Sequence, residues 1–301
     1  MSTDLNSSFT EQYMNINTKM KKRFMRKPNV SEATNEFIAL AIQCEHSEQP
    51  TFAGHSYVGA AKCEASVGNF LGEAEHYISA ARQFIKAEMK LKSMKFYSPE
   101  RENLEAGIGC FLQALNKYPE KSPIRTSLLM ELASNLSTLG HKAEAISYYQ
   151  QALDTVVDYT MKLMALWNLM ILQIDSEKFS MALETSNTIC DSKLNIPEDL
   201  LTEVQVTRIL LAILVKPADE DKPSSLKQVF FDLMNDIETE ALPLSTDLRL
   251  KLQSITVSEQ EGDMTSLVAL LADTEEHLVP HQTQLLHHII SKQRLDHLGL
   301  T

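Results

Sequence analysis

The residues with the clearest potential for chemistry lie near the C-terminus, where five of the nine histidines fall between positions 277 and 297. Asp273, His277 and His281 follow at intervals of four, which would align them on one face of a helix. Carboxylate and imidazole groups so aligned can bind a metal ion. Pro280 lies between the two histidines and would interrupt that helix, because proline lacks a backbone N–H. We therefore expect solvated histidines, with no metal and no cofactor.

Other signatures of catalysis do not occur in the sequence. There is no GxxxxGK[ST] or GxGxxG phosphate loop, no HExxH metal motif and no GxSxG nucleophile motif. The four cysteines form no CxxC pair, so neither a zinc ribbon nor a thioredoxin-like motif is predicted. Sparse cysteines without a secretory signal are typical of a reducing compartment, and we expect a cytoplasmic protein that is not an enzyme.

Charge is distributed unevenly along the chain. The net charge of −12 divides into +4 for residues 1–30 and −16 for residues 31–301. No lysine or arginine occurs between Lys251 and Lys292, where six carboxylates lie: Glu259, Glu261, Asp263, Asp273, Glu275 and Glu276. A surface of one sign gains affinity and association rate from a basic partner, so we predict an acidic partner-binding surface here. The alternative is a solvated acidic face.

The positive charge is concentrated in a basic N-terminal segment. Its candidate partner-binding or docking residues are Lys21, Lys22, Arg23, Phe24, Arg26 and Lys27. Such a segment is compatible with nuclear import or nucleic-acid binding, with a membrane-surface helix, with docking onto a partner, or with a solvated helix face. The acidic remainder of the chain disfavours nucleic acid. The longest apolar run, Ile209–Val215, is far shorter than the about 20 residues of a membrane span.

Apolar residues recur at helical spacing along most of the chain after residue 12. In residues 126–157, one apolar stripe ends at Gly140 and a second stripe follows. The stripes comprise Leu129, Leu132, Ala133, Leu136 and Leu139, then Ala145, Ile146, Tyr149, Ala152 and Leu153. This pattern matches a tetratricopeptide unit, and neighbouring units match less well. We predict an all-α fold, a tetratricopeptide-like α-solenoid of roughly a dozen antiparallel helices.

The pattern also suggests a simple domain organisation. Residues 1–12 are rich in serine, threonine and asparagine, and we predict a disordered tail. Residues 13–301 are predicted to form a single helical-repeat domain. A loop is expected at about 216–225, where KPADEDKPSS combines two prolines with charged residues.

Three segments resemble a known family. The segment KKRFMRKPNVSEA (Lys21–Ala33) resembles the N-terminal segment of the forty-kilodalton huntingtin-associated proteins, also called the factor VIII intron 22 family. The segments Val206–Pro217 and His281–Gln293 resemble that family's apolar helix and C-terminal helix, in the same order. Vertebrate members carry a proline-rich insert before the second segment, and the interval from Cys190 to Val206 is short here.

The resemblance implies a tetratricopeptide-like scaffold without catalytic activity that forms a one-to-one complex with huntingtin, lodged between that partner's helical-repeat domains. It also implies an early-endosomal Rab GTPase as a second partner, with a role in endosome motility. The resemblance further implies that an acidic C-terminal part faces a basic region of the partner. The implied location is cytoplasmic and associated with early endosomes, with the nucleus as a further site. The alternative function is a general tetratricopeptide adaptor that captures peptide segments of other partners.

Overall fold

The computed structural model describes residues 2–20, 29–96, 100–192 and 194–297, with side chains described between Ser8 and Leu295. These residues form fourteen α-helices and one short 3-10 turn, and they contain no β-strand. The predicted all-α class is therefore confirmed. No helix in these ranges combines the length and apolar content that crossing a membrane requires.

The chain forms two compact units, Met1–His141 and Lys142–Thr301. The first unit contains α1 (Ser2–Met20), α2 (Val30–His46), α3 (Pro50–Ser66), α4 (Phe70–Ser93), α5 (Glu102–Leu115) and α6 (Pro123–Leu139). The second contains α7 (Lys142–Thr155), α8 (Tyr159–Asp175), α9 (Phe179–Asp191), α10 (Glu198–Val215), α11 (Ser224–Met234), α12 (Thr246–Glu261), α13 (Met264–Thr274), the 3-10 turn Glu275–His277 and α14 (Pro280–His297).

The unit boundary falls inside the predicted tetratricopeptide repeat. Gly140 ends α6 in the left-handed region, with φ 96°, as the sequence predicted. The two helices that we assigned to one repeat, α6 and α7, belong to different units. The tetratricopeptide assignment and the single-domain assignment therefore stay predictions.

Close helix packing in the first unit depends on small residues in α3. Added Cβ atoms at Gly54 and Gly59 would lie 2.9 Å from the ring of Phe84 and 2.8 Å from the ring of Phe37, respectively. The two rings belong to α4 and α2, so α3 packs between them with its glycines under the aromatic rings. Only residues without a side chain leave room for this contact.

Helix α1 lies where the sequence predicted a disordered tail over residues 1–12. Phe9 stacks on Phe52 of α3 with ring centroids 4.5 Å apart, and Tyr13 contacts Phe37 at 5.1 Å. Ile16, one turn further, is buried. Phe9, Tyr13 and Ile16 form an apolar stripe at intervals of four and three. Because the residues between them are mostly polar, composition alone predicted a disordered tail.

The core of the second unit is built around α10. Every residue from Val204 to Leu214 is buried, which is typical of a helix enclosed on all sides. The helix packs against α9 and α14 and ends at Lys216, which adopts a left-handed conformation with φ 52°. The following loop extends to Pro223, within the segment where a loop was predicted.

Candidate partner-binding surfaces

The acidic segment, residues 259–276, extends over the end of α12, all of α13 and the start of the 3-10 turn. Helix α12 ends at Gly262, whose φ of 72° allows the sharp turn into α13. Asp263 then begins α13 by accepting hydrogen bonds from the backbone N–H groups of Thr265 and Ser266 at 3.0 and 3.2 Å. The hydrogen bond from the Ser266 hydroxyl, together with these two backbone bonds, lowers the pKa of Asp263.

Glu259 is not on the predicted surface, because only 8% of it is exposed. Its Oε1 accepts hydrogen bonds from Gln293 Nε2 at 3.0 Å and from Lys216 Nζ at 2.5 Å. These contacts join α12 to α14 and to the loop after α10. Glu259 and Lys216 line a cavity of about 460 Å³ together with Lys222. The carboxylate therefore supports the fold of this region.

Asp273 also has an intramolecular partner. Its Oδ2 lies 3.4 Å from Lys251 Nζ, and the same ammonium group lies 3.0 Å from Asp247 Oδ2. The two carboxylates raise the pKa of Lys251. This three-residue cluster connects the first turn of α12 with the last turn of α13.

Five of the six predicted carboxylates are exposed, and two of these, Asp263 and Asp273, also have the intramolecular partners described above. Glu261, Glu275 and Glu276 are exposed. Val268, in the middle of α13 between these carboxylates, is an apolar residue that is 42% exposed. Glu259 is therefore the one buried member of the predicted set, and a partner-binding role for the other five carboxylates stays a prediction.

The C-terminal histidines occupy different surroundings. His277 is exposed and its Nε2 lies 3.3 Å from Asp247 Oδ2. His281 is partly buried, with 11% of its side chain exposed; its Nε2 lies 3.1 Å from Thr207 Oγ1, and its ring meets that of Trp167 in a T-shaped contact. Burial lowers the pKa of His281 to about 4. In the described part of the chain, no three His, Cys, Asp or Glu side chains are close enough together to hold a metal ion.

The basic N-terminal segment, with Lys21, Lys22, Arg23, Phe24, Arg26 and Lys27, lies outside the described residues. The last described lysine before it is Lys19, whose Nζ bonds to Glu36 of α2 and lies 3.9 Å from Glu32. The bond to Glu36 raises the pKa of Lys19. The contacts of Lys19 hold the end of α1 on α2.

Sequence reasoning missed a fully buried arginine in α10. The Nε atom of Arg208 donates to Asn187 Oδ1 of α9 at 2.7 Å, and Nη2 donates to Ser225 Oγ of α11 at 2.6 Å. Asp191 lies 3.9 Å from the same guanidinium group. The available signal was a single arginine inside the apolar run of α10, which indicates a buried charge that needs partners.

The comparison with known proteins supports the resemblance. No protein-family model matches the sequence. The 40-kDa huntingtin-associated proteins of Rattus norvegicus and Mus musculus are each 30% identical to this chain over 147 residues. The matched region is 48% of this chain and 39% of each relative, so the chain covers less than half of their length. The predicted relationship to these proteins is confirmed over that region.

Proposed function

We propose that this chain is a non-enzymatic scaffold that binds and stabilises huntingtin. The observation that carries the proposal is the 30% identity over 147 residues to two proteins named as huntingtin-associated. The all-α fold supports it, because arrays of helices offer extended faces to a protein partner.

The proposed complex contains one copy of each protein, with this chain clamped between the helical-repeat domains of huntingtin. Apolar contacts supply most of the affinity, and charge sets the orientation. Glu261, Glu275 and Glu276 are the acidic residues best placed to meet a basic region, because they are exposed and their carboxylates, unlike those of Asp263 and Asp273, form no hydrogen bond or ion pair within the described residues. The basic N-terminal segment is proposed to dock on the partner.

The cellular part of the proposal follows the family resemblance. The complex is proposed to act in the cytoplasm and on early endosomes, where a Rab GTPase links it to endosome motility. A nuclear pool would follow from the basic N-terminal segment acting as an import signal.

Co-expression with huntingtin of the same organism tests the proposal. We expect co-elution at one to one in size-exclusion chromatography at both moderate and high salt, because buried apolar contacts are not screened. Separate elution of a folded chain would contradict it. That result would favour the general adaptor, which captures short segments of other partners.

A further inference from the structure

The second unit contains an apolar groove formed by α7, α8 and α9. Its volume is about 330 Å³. Leu166 and Leu169 of α8 form the floor, while Leu153 of α7 and Met181 of α9 form the two walls. Met181 is 36% exposed, and methionine adapts readily to the shape of an apolar partner.

The groove follows one face of α8. Its lining residues on α8 are Lys162, Leu166, Leu169 and Gln173, spaced four, three and four apart. Tyr159, at the start of α8, lies three residues before Lys162 on the same face and is 72% exposed. From Tyr159 to Gln173 the face is about 21 Å long, since a helix rises about 1.5 Å per residue. That length fits about four turns of a bound helix.

The buried polar groups of the groove bond to each other. Thr185 Oγ1 lies 2.8 Å from Gln173 Oε1, and each residue is at most 7% exposed. An extended peptide needs donors and acceptors for its own backbone, whereas a helix satisfies its backbone internally. The floor of the groove therefore fits the apolar face of a helix better than an extended peptide.

Two charges of opposite sign lie at opposite ends of the groove. Lys162 is near the start of α8. Glu184 is on α9, and its neighbour Thr185 bonds to Gln173 near the end of α8. Glu184 is therefore close to the end of α8. Neither side chain forms an ion pair within the described residues. A helix carries partial positive charge at its N-terminus and partial negative charge at its C-terminus. The pair therefore favours a bound helix whose N-terminus is near Glu184 and whose C-terminus is near Lys162.

We propose that this groove binds one amphipathic α-helix of the partner, running antiparallel to α8. The inference rests on the proposed function, under which huntingtin supplies the helix. The helix would place apolar side chains at positions i, i+3 or i+4, and i+7 on Leu166, Leu169 and Met181. It would carry a basic residue in its first turns opposite Glu184 and an acidic residue in its last turns opposite Lys162.

The first test measures the affinity of the full chain for purified huntingtin. We expect Met181→Asp to weaken binding about tenfold or more, because it places a charge in an apolar contact. The matched control is Met164→Asp, since Met164 is exposed on α8 but does not line the groove. The control should change the affinity by less than about twofold. Lys162→Glu and Glu184→Lys should each slow association.

The outcomes separate the two proposals. A wild-type chain that fails to bind huntingtin would overturn the proposed function and this inference with it. Wild-type binding with equal effects of Met181→Asp and Met164→Asp would overturn the inference alone.

A photo-crosslinking amino acid at Gln150, on the α7 wall of the groove, identifies the occupant. We expect the crosslinked huntingtin segment to be a helix with the apolar spacing given above. A crosslink to a second copy of this chain, or to an extended segment, would contradict the proposal.

Discussion

Arg208 holds three helices of the second unit together from a fully buried position. Its guanidinium group bonds to Asn187 of α9 and Ser225 of α11, and it lies in the middle of α10. Removing one member of a buried charged network leaves the remaining polar groups without partners or water. Its stabilising role therefore depends on both partners.

We predict that Arg208→Ala lowers the free energy of unfolding by about 3 kcal/mol, because it removes a fully buried side chain together with its bonds to the partly exposed Asn187 and Ser225. Arg82→Ala is the matched control, because Arg82 forms a two-bond pair with Glu131 on the surface. It should cost about 1 kcal/mol or less. Urea unfolding of both variants measures the difference, and equal costs would contradict a structural role for Arg208.

His281 makes the stability of the second unit depend on pH. Its folded pKa is about 4 because it is buried, whereas the ordinary value is 6.5. Glu203, at 3.9 Å, and Asp175 are the acidic groups that face it. The unfolded chain therefore binds the proton first as the pH falls. The contribution of this group to stability is fully present above about pH 6.5 and is lost between pH 6.5 and 4.

Comparison with His281→Gln isolates this effect. Relative to the variant, the wild type should lose at most about 3 kcal/mol of unfolding free energy between pH 6.5 and 4. The difference in unfolding free energy between the wild type and the variant at pH 8 gives the part of the substitution's cost that does not depend on pH. A constant difference across the whole range would show that His281 protonates freely in the folded state.

At the scale of elements, the apolar stripes of residues 126–157 predict α6 and α7, but the sequence does not show which helices pack against each other. Gly140 predicts the end of α6, and the structure confirms it. The contacts of Gly59 with Phe37 and of Arg208 with Asn187 join residues about 20 positions apart. Such contacts depend on how helices cross, which periodicity along one helix does not encode.

The glycines of α3 give a prediction with an internal control. Alanine is a better helix former than glycine by about 1 kcal/mol. Gly109→Ala in α5 should stabilise the protein by about that amount, because nothing lies within 4 Å of the added Cβ. Gly59→Ala should instead destabilise it by about 1–3 kcal/mol, because the methyl group would overlap the Phe37 ring. Thermal unfolding compares them, and two stabilised variants would contradict the packing of α3.

At the scale of the whole molecule, the net charge of −12 predicts attraction to a basic partner but not which carboxylates supply it. Glu259, Asp263 and Asp273 are occupied by Lys216, by the backbone of α13 and by Lys251, respectively. Charge counting could not predict this, because these contacts bring together residues from different helices or from the start of a helix.

The exposed carboxylates give a prediction for the complex. Combined Glu261→Gln, Glu275→Gln and Glu276→Gln should weaken binding to huntingtin and reduce its salt dependence, because exposed charges act through screened attraction. The control carries the same change at Glu75, Glu102 and Glu120, which are exposed in the first unit. Affinities across a salt series measure both, and identical salt slopes for the two triple variants would contradict an acidic docking surface.

Mass photometry of the purified chain mixed with purified huntingtin tests the central claim most directly. We predict one new species whose mass equals one copy of each protein and which persists when the mixture is diluted to nanomolar concentrations. Two separate species at every concentration, with the chain helical by circular dichroism, would contradict the proposal that this protein is a huntingtin-binding scaffold.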